Sequence, residues 1–116
     1  MKTISYRELK KAGACAEQLA LFKCYFNTKV VVTKDRCLAV KDVFDFTWAA
    51  RRFLSKKGYT KYSSIVAPAL IKYIKTRINT YSHYKCYQAL ITAEAETFCD
   101  IFLAQRKSHV ERWFIK

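Results

Sequence analysis

Residues 62–98 read YSSIVAPALIKYIKTRINTYSHYKCYQALITAEAETF, and an apolar pattern recurs in them every eleven residues. The pattern places Tyr62, Tyr73, Tyr84 and Ala95 in one column. Three neighbouring columns are also largely apolar: Ile65, Thr76, Tyr87 and Phe98; Ala69, Thr80, Ile91 and Phe102; Leu70, Tyr81, Thr92 and Leu103. Eleven residues make three turns of about 3.67 residues, so an α-helix keeps these columns on one side over a long distance. The stretch therefore predicts long helices with a tyrosine stripe, in which Tyr73 and Tyr84 face the core.

The predicted long-helix part runs from Pro68 to about Lys107, as one helix or as two with a break near residues 79–82. Proline suits the first position of a helix, where its missing N–H would have no helical partner in any case. Residues 108–116 follow as a tail. We expect the apolar residues of this tail to fold back on the core: Trp113, Phe114 and Ile115.

Short helices are predicted before this part, and their ends follow from capping residues and apolar spacing. We expect four of them: one after the capping box of Ser5 and Glu8 to about Lys11, one from Ala14 to Phe26, one from Thr33 to about Val40, and one that begins after Asp45. Residues 30–32 are three valines, and with no second strand evident nearby we interpret them as an extended linker. Residues 55–61, which contain Gly58, are interpreted as another linker.

The composition agrees with a helical domain. The chain has 116 residues, 52% of them hydrophobic and 16% aromatic, which excludes intrinsic disorder. Two glycines and one proline are too few for many strands joined by tight turns. We therefore predict a single all-α domain over residues 1–116, with short helices in residues 1–57 packed on a long Tyr-striped helix or helical hairpin in residues 59–107. No apolar run approaches the roughly 18 residues of a membrane span, so we expect a cytoplasmic protein.

Positive charge is the strongest functional signal in the sequence. Lys and Arg number 22 against nine Asp and Glu, which gives a formal net charge of +13. Residues 46–93 contain no acidic residue, and aromatic residues are interleaved with their basic ones. Positive side chains neutralise phosphates, and aromatic rings stack on unpaired bases. We therefore predict a non-enzymatic protein that binds nucleic acid (RNA or DNA) or a ribonucleoprotein through these residues: Trp48, Arg51, Arg52, Lys56, Lys57, Lys61, Lys72, Lys75, Arg77 and Lys85.

A second class of function fits the same basic and aromatic residues. Tyr, Trp and Arg are the usual anchors of protein interfaces, so the chain is alternatively an adaptor or inhibitor that docks on an acidic protein surface. Instead of docking on such a surface, a protein of this class would form a homodimer through its tyrosine stripe. Membrane binding is not expected, because the basic residues lack a neighbouring strip of Leu, Ile and Phe that the core does not need.

No enzyme signature is present in the sequence. Two glycines are too few for a G-x-G-x-x-G or a Walker loop, and neither H-E-x-x-H nor G-x-S-x-G occurs. The acidic group of Glu94, Glu96 and Asp100 is interpreted as a solvated face rather than a Mg²⁺ site. The five cysteines include no C-x-x-C pair, and we expect them to be free and buried. We therefore predict neither a metal nor a cofactor.

Short motifs along residues 8–75 also resemble those of a group of proteins. They are Ala14-Cys15-x-x-Gln18, Val30-x-Val32-Thr33, Phe44-Asp45-x-x-Trp48-Ala49-Ala50-Arg51-x-x-Leu54 and Tyr62-x4-Ala67-Pro68-Ala69-Leu70-x2-Tyr73. In this order they resemble small, uncharacterised phage and prophage-borne proteins, in which a Trp-Ala-Ala-Arg segment precedes eleven-residue Tyr/Ala-Pro-Ala repeats. The resemblance carries over no catalytic residue and implies a phage-type accessory protein. In a phage, such a protein would block a host defence system by occupying the RNA or DNA that a host enzyme needs, or by covering that enzyme.

Overall fold

The computed structural model describes residues 2–76 and 80–105, and these residues form six helices and one pair of short strands. In chain order the elements are β1 (Thr3–Ser5), α1 (Tyr6–Lys11), α2 (Ala16–Phe26), β2 (Lys29–Val31), α3 (Lys34–Ala39), α4 (Phe46–Phe53), α5 (Lys56–Lys75) and α6 (Thr80–Ala104). The prediction of an all-α fold is confirmed. Within the described residues, no helix combines the length and the hydropathy needed to cross a bilayer.

Local capping signals set the starts of the short helices as the sequence predicts. The hydroxyl of Ser5 accepts a hydrogen bond from the backbone N–H of Glu8 at 3.0 Å, and the Glu8 carboxylate accepts one from the N–H of Ser5 at 3.0 Å. Thr33 caps α3 and Asp45 caps α4 in the same way. These bonds satisfy backbone donors that the first helical turn leaves without partners.

The valines of residues 30–32 do not form the predicted linker. β2 pairs with β1 in antiparallel register, with Ile4 opposite Val30. Ile4 and Val32 are buried, so the strand pair closes one edge of the core. The prediction was wrong because the partner strand has only three residues and lies at the beginning of the chain, where no alternating pattern marks it.

Residues 55–61 are also not a linker, and Pro68 does not begin a helix. The hydroxyl of Ser55 accepts a hydrogen bond from the N–H of Gly58 at 3.0 Å and caps α5, which therefore begins twelve residues before Pro68. The helix continues through the proline because packed residues lie on both sides of it: Tyr62 and Val66 are buried, and Tyr73 packs against the core. Tertiary packing thus offsets the local cost of proline within a helix.

Residues 80–104 form α6, the helix on which α3, α4 and α5 pack. Ala95, Phe98, Cys99 and Phe102 of α6 are at most 3% exposed. Helices α3 and α4 cover this half of α6, and α5 runs alongside it. Because α5 ends at Lys75 and α6 begins at Thr80, the predicted long-helix part consists of two helices. The predicted tail, residues 108–116, lies outside the described residues.

Polar contacts connect both ends of the described chain to α6 and its surroundings. The Nζ of Lys2 donates a hydrogen bond to the carbonyl of Phe102 at 2.8 Å. At the other side, the amide of Gln105 donates to the carbonyl of Phe53 at 2.8 Å and accepts from the N–H of Ser55 at 3.2 Å. Gln105 therefore fixes the connection between α4 and α5 to the C-terminal end of α6.

Replacement of Phe98 by alanine tests the role of the α6 core. Its ring is 2% exposed and packs on Phe102 and Phe46, with centroid distances of 5.4 and 5.6 Å. The cavity left by Phe98→Ala should lower the free energy of unfolding by about 3–5 kcal/mol in urea denaturation. The control is Leu103→Ala on the same helix, where the side chain is 42% exposed and the loss should stay below about 1 kcal/mol. Equal losses in the two variants would contradict this assignment of the core.

Candidate nucleic-acid interface

The connection between α4 and α5 brings together five of the residues predicted to bind nucleic acid. We call these residues the joint cluster: Arg51, Arg52, Lys56, Lys57 and Lys61. The two arginines lie in the last turn of α4. Lys56 and Lys57 are the first residues of α5, and only two residues separate the two helices. The hydrogen bonds of Gln105 to both sides of this connection hold the two helix ends in place.

The two arginines of the joint cluster have different surroundings. Arg51 is exposed, whereas Arg52 is half-buried and its guanidinium lies 5.9 Å from the ring centroid of Trp48. Trp48 is itself half-buried and meets Phe53 edge-on at 6.3 Å. Trp48 therefore packs against the Arg52 side chain, whereas the Arg51 side chain is exposed to solvent.

The helix dipoles act in opposite ways on the two halves of the joint cluster. Arg51 and Arg52 lie at the negative C-terminal end of α4, where a positive charge is favourable. Lys56 and Lys57 lie in the first turn of α5, where the helix end is already positive. No acidic residue occurs between residues 46 and 93 to offset these charges. The joint is therefore a concentrated positive site that is suited to an anion.

Four lysines of α5 lie along one side of the helix. At 3.6 residues per turn, Lys57, Lys61, Lys72 and Lys75 fall within about 60° of one another, and the first and last are ~27 Å apart along the axis. All four are exposed, and none forms an ion pair with a described residue. The salt bridge among the described residues joins Lys34 to Asp100 at 2.9 Å. We call these residues the α5 lysine stripe.

Of the two remaining predicted binding residues, the structure places one near the far end of α5. Lys85 belongs to α6, and its Nζ lies 4.8 Å from the ring centroid of Tyr81. Arg77 lies outside the described residues. The structure therefore does not bring the ten predicted residues into one pocket. It separates a dense group at the joint from a sparser group at the opposite end of the hairpin formed by α5 and α6.

The tyrosine stripe is only partly a core feature. Tyr62 is buried, and its hydroxyl hydrogen-bonds the Thr47 hydroxyl at 2.9 Å. Tyr73 is half-buried and stacks on His83 at 4.3 Å. Tyr84 is 62% exposed, so the expectation that it faces the core was wrong. The sequence showed a continuous tyrosine stripe, but it did not show which part of the stripe the short helices would cover.

The acidic residues of α6 serve separate contacts. Glu94 accepts a hydrogen bond from the Thr47 hydroxyl at 2.9 Å, and burial raises the pKa of this carboxyl. Asp100 pairs with Lys34. No group of three potential metal ligands occurs among the residues that the structure describes. Glu94 and Asp100 therefore make separate contacts, with α4 and α3 respectively.

A mainly apolar cavity of ≈ 90 Å³ lies among the described residues. Sequence reasoning did not predict it. Its walls include Ile4, Phe22, Val32 and Phe46, and Gln18 and Arg36 contribute polar groups. Cys37 and Asp45 also line it.

Comparison with protein-family models, with curated proteins and with solved structures finds no match for this chain. The resemblance to phage and prophage-borne proteins therefore stays a prediction. The candidate interface rests on the geometry and charge of the chain itself.

The pH dependence of stability tests the buried position of Glu94. Burial raises the pKa of Glu94 above its ordinary value of 4.5, so the folded state holds this proton more tightly than the unfolded state. The free energy of unfolding should therefore fall, relative to Glu94→Gln, as the pH rises from about 4.5 through the raised pKa. Denaturation at a series of pH values measures this difference. Glu17→Gln, which removes an exposed glutamate of α2, is the matched control, and identical curves for Glu94→Gln and the parent would contradict the prediction.

Thiol labelling tests the environments of the cysteines, which are not all buried as the sequence suggested. Cys37 and Cys99 are buried, and burial raises the pKa of the Cys37 thiol to about 12. Cys15 and Cys24 are exposed. We expect iodoacetamide to modify Cys15 and Cys24 rapidly in the folded protein and to modify Cys37 and Cys99 only after unfolding, because the thiolate is the reacting form. Mass spectrometry of peptides gives the rates, and rapid native labelling of Cys37 would contradict its burial.

Proposed function

We propose that the protein binds nucleic acid without catalysing a reaction, and that the joint cluster holds phosphate groups. The observation that carries the proposal is the position of Lys57 in the first turn of α5, with the exposed Arg51 and Lys61 near it, in a stretch of sequence (residues 46–93) that contains no acidic residue. A polyanion would neutralise both the lysines and the positive helix end.

Solubility alone does not account for this arrangement. Cations in the last turn of a helix stabilise it, so Arg51 and Arg52 have a structural explanation. Cations in the first turn are unfavourable by about 0.3–1 kcal/mol each, and a surface lysine elsewhere would provide the same solubility without that cost. Lys57, which is exposed and forms no ion pair with the described residues, is therefore better explained by an anionic partner.

The α5 lysine stripe would extend the contact away from the joint. It continues from Lys57 and Lys61 to Lys72 and Lys75, and Lys85 and Arg77 were predicted to belong to the same track. Its length of ~27 Å corresponds to about eight stacked nucleotides, at 3.4 Å per nucleotide along one strand. A strand that begins at the joint would thus meet further positive charge along α5.

In the biological setting that the motif order suggests, the protein would be a viral accessory protein in the cytoplasm of a host cell. There it would occupy RNA or DNA that a defence enzyme needs, or cover a nucleic-acid-bound enzyme directly. The alternative is an adaptor or inhibitor that docks on an acidic protein surface or homodimerises through its tyrosines. Its anchors would be the exposed Tyr81 and Tyr84, far from the joint.

A triple substitution tests the joint cluster. Arg51→Ala, Lys57→Ala and Lys61→Ala together remove three exposed charges and leave Arg52 on Trp48 intact. We expect the affinity for single- or double-stranded RNA or DNA to fall at least about tenfold in gel-shift assays at low salt. For duplex DNA, the slope of log K against log salt should decrease in magnitude by about 0.9 for each phosphate that the variant no longer neutralises.

The matched control removes the same kinds of charge elsewhere. Arg7→Ala, Lys10→Ala and Lys29→Ala delete one arginine and two lysines that are exposed and distant from α5 in sequence. This variant should bind nearly as tightly as the parent. Equal reductions in affinity for both triple variants would show that only net charge matters, and no gel shift of the parent protein would refute nucleic-acid binding.

A further inference from the structure

The end of the α5–α6 hairpin away from the joint consists of residues 70–75 and residues 81–87. Contacts between the two helices align these segments: the ring centroid of Tyr73 lies 4.3 Å from that of His83 and 5.8 Å from that of Tyr87. The two segments therefore lie side by side. Together they present a surface that the proposed nucleic-acid contact at the joint does not use.

Large apolar side chains are exposed on this surface, and we call them the hairpin patch: Leu70 (43% exposed), Ile71 (51%), Ile74 (49%), Tyr81 (70%), Tyr84 (62%) and Tyr87 (37%). Isolated exposed apolar residues are ordinary on protein surfaces, but a contiguous group marks an interaction site. Six such residues on two aligned segments form a group of this kind.

The patch is exposed because the first turns of α6 extend beyond the short helices that cover the rest of α6. Tyr84 lies eighteen residues before Phe102, and Tyr81 lies eighteen residues before Cys99. Eighteen residues are five complete helical turns, so each pair lies on the same side of α6. Phe102 and Cys99 are buried under the body of the protein, whereas their equivalents near the start of the helix are 62% and 70% exposed. The tyrosines of the patch therefore lie on the same side of α6 as its buried residues, but no described residue covers them.

Positive charge borders the patch within the described residues. Lys75 lies about 40° around α5 from Ile71, and the Nζ of Lys85 lies 4.8 Å from the ring centroid of Tyr81, whereas Lys72 lies on the opposite side of α5 from Ile74. The nearest acidic residue of α6, Glu94, follows Tyr87 by seven residues, ~10 Å along the axis. A second copy of this chain would bring another +13 of like charge to the patch. A partner that fits must therefore be anionic and must also accept aliphatic side chains.

An anionic lipid bilayer matches all three residue types at the hairpin end. Its acyl region accepts isoleucine and leucine, its interface favours tyrosine, and its phosphate headgroups attract lysine. Nucleic acid would engage the lysines and tyrosines but has no acyl region to accept Leu70, Ile71 and Ile74. Membrane binding was not expected from the sequence because no spare strip of aliphatic residues was evident. The structure provides that strip.

We propose that the hairpin patch docks on the surface of an anionic phospholipid membrane, with Ile71 and Ile74 inserted between the headgroups and Lys75 and Lys85 at the phosphates. The hairpin lies at the interface and does not cross the bilayer. This inference does not depend on nucleic-acid binding at the joint cluster. Lys75 and Lys85 belong to both proposed contacts, whereas Ile71 and Ile74 belong to the membrane contact alone.

Vesicle sedimentation of the full chain tests the proposal. The protein should bind vesicles made of equal parts of phosphatidylcholine and phosphatidylglycerol and bind much less to phosphatidylcholine alone. Ile71→Ser/Ile74→Ser should reduce the partition coefficient at least about tenfold, since each buried CH₂ contributes strongly to membrane affinity. The matched control is Ile65→Ser/Leu103→Ser, which removes side chains that are 50% and 42% exposed but lie outside the patch, and it should bind like the parent.

A fluorescent reporter distinguishes insertion from simple charge attraction. Tryptophan in Tyr84→Trp should shift its emission to shorter wavelength on the mixed vesicles and be quenched by brominated acyl chains, relative to the parent protein. Lys75→Ala/Lys85→Ala should weaken binding to the mixed vesicles about tenfold and leave the weak binding to phosphatidylcholine unchanged.

Three outcomes would overturn the proposal. The first is a folded parent protein that binds neither vesicle. The second is binding to the mixed vesicles that survives Ile71→Ser/Ile74→Ser unchanged, because charge alone would then explain it. The third is a dimer in analytical ultracentrifugation that the same double substitution dissociates, which would assign the patch to a second copy of this chain.

Discussion

The burial of one side of α6 is the constraint on which the rest of the structure depends. Ala95, Phe98, Cys99 and Phe102 are nearly inaccessible to water, and α3, α4 and α5 all pack on this helix. Helices α1 to α4 have six to eleven residues, which is too few for a helix to be stable alone in water. Helices α3 and α4 therefore gain their stability from the apolar area that they bury against α6, whereas α1 packs on α2 and β1.

This packing also determines where the positive charge accumulates. Gln105, just after α6, hydrogen-bonds both Phe53 and Ser55, so the end of one helix and the start of the next are held together. Two arginines and two lysines are then adjacent although their helix dipoles differ in sign. Lysines at the positive end of α5 are unfavourable for folding, but core packing fixes the backbone at this connection and keeps them there.

The different lengths of the helices explain the second surface. Helices α5 and α6 have 20 and 25 residues, and the short helices cover only the half of α6 that contains Phe98 and Phe102. The uncovered half keeps the same apolar side and exposes Tyr81 and Tyr84. The joint cluster and the hairpin patch therefore lie toward opposite ends of one hairpin. The first is defined by charge, and the second by apolar area bordered by charge.

The sequence by itself determined the helical class, the caps at Ser5, Thr33 and Asp45, and the concentration of charge, because these depend on neighbouring residues and on composition. Only the tertiary structure decided that Pro68 lies inside a helix and that Tyr84 is exposed. Both depend on contacts with residues distant in the sequence, and the eleven-residue pattern is the same whether or not another helix covers it. Periodicity reports which side of a helix is apolar, whereas burial depends on what the folded chain places against that side.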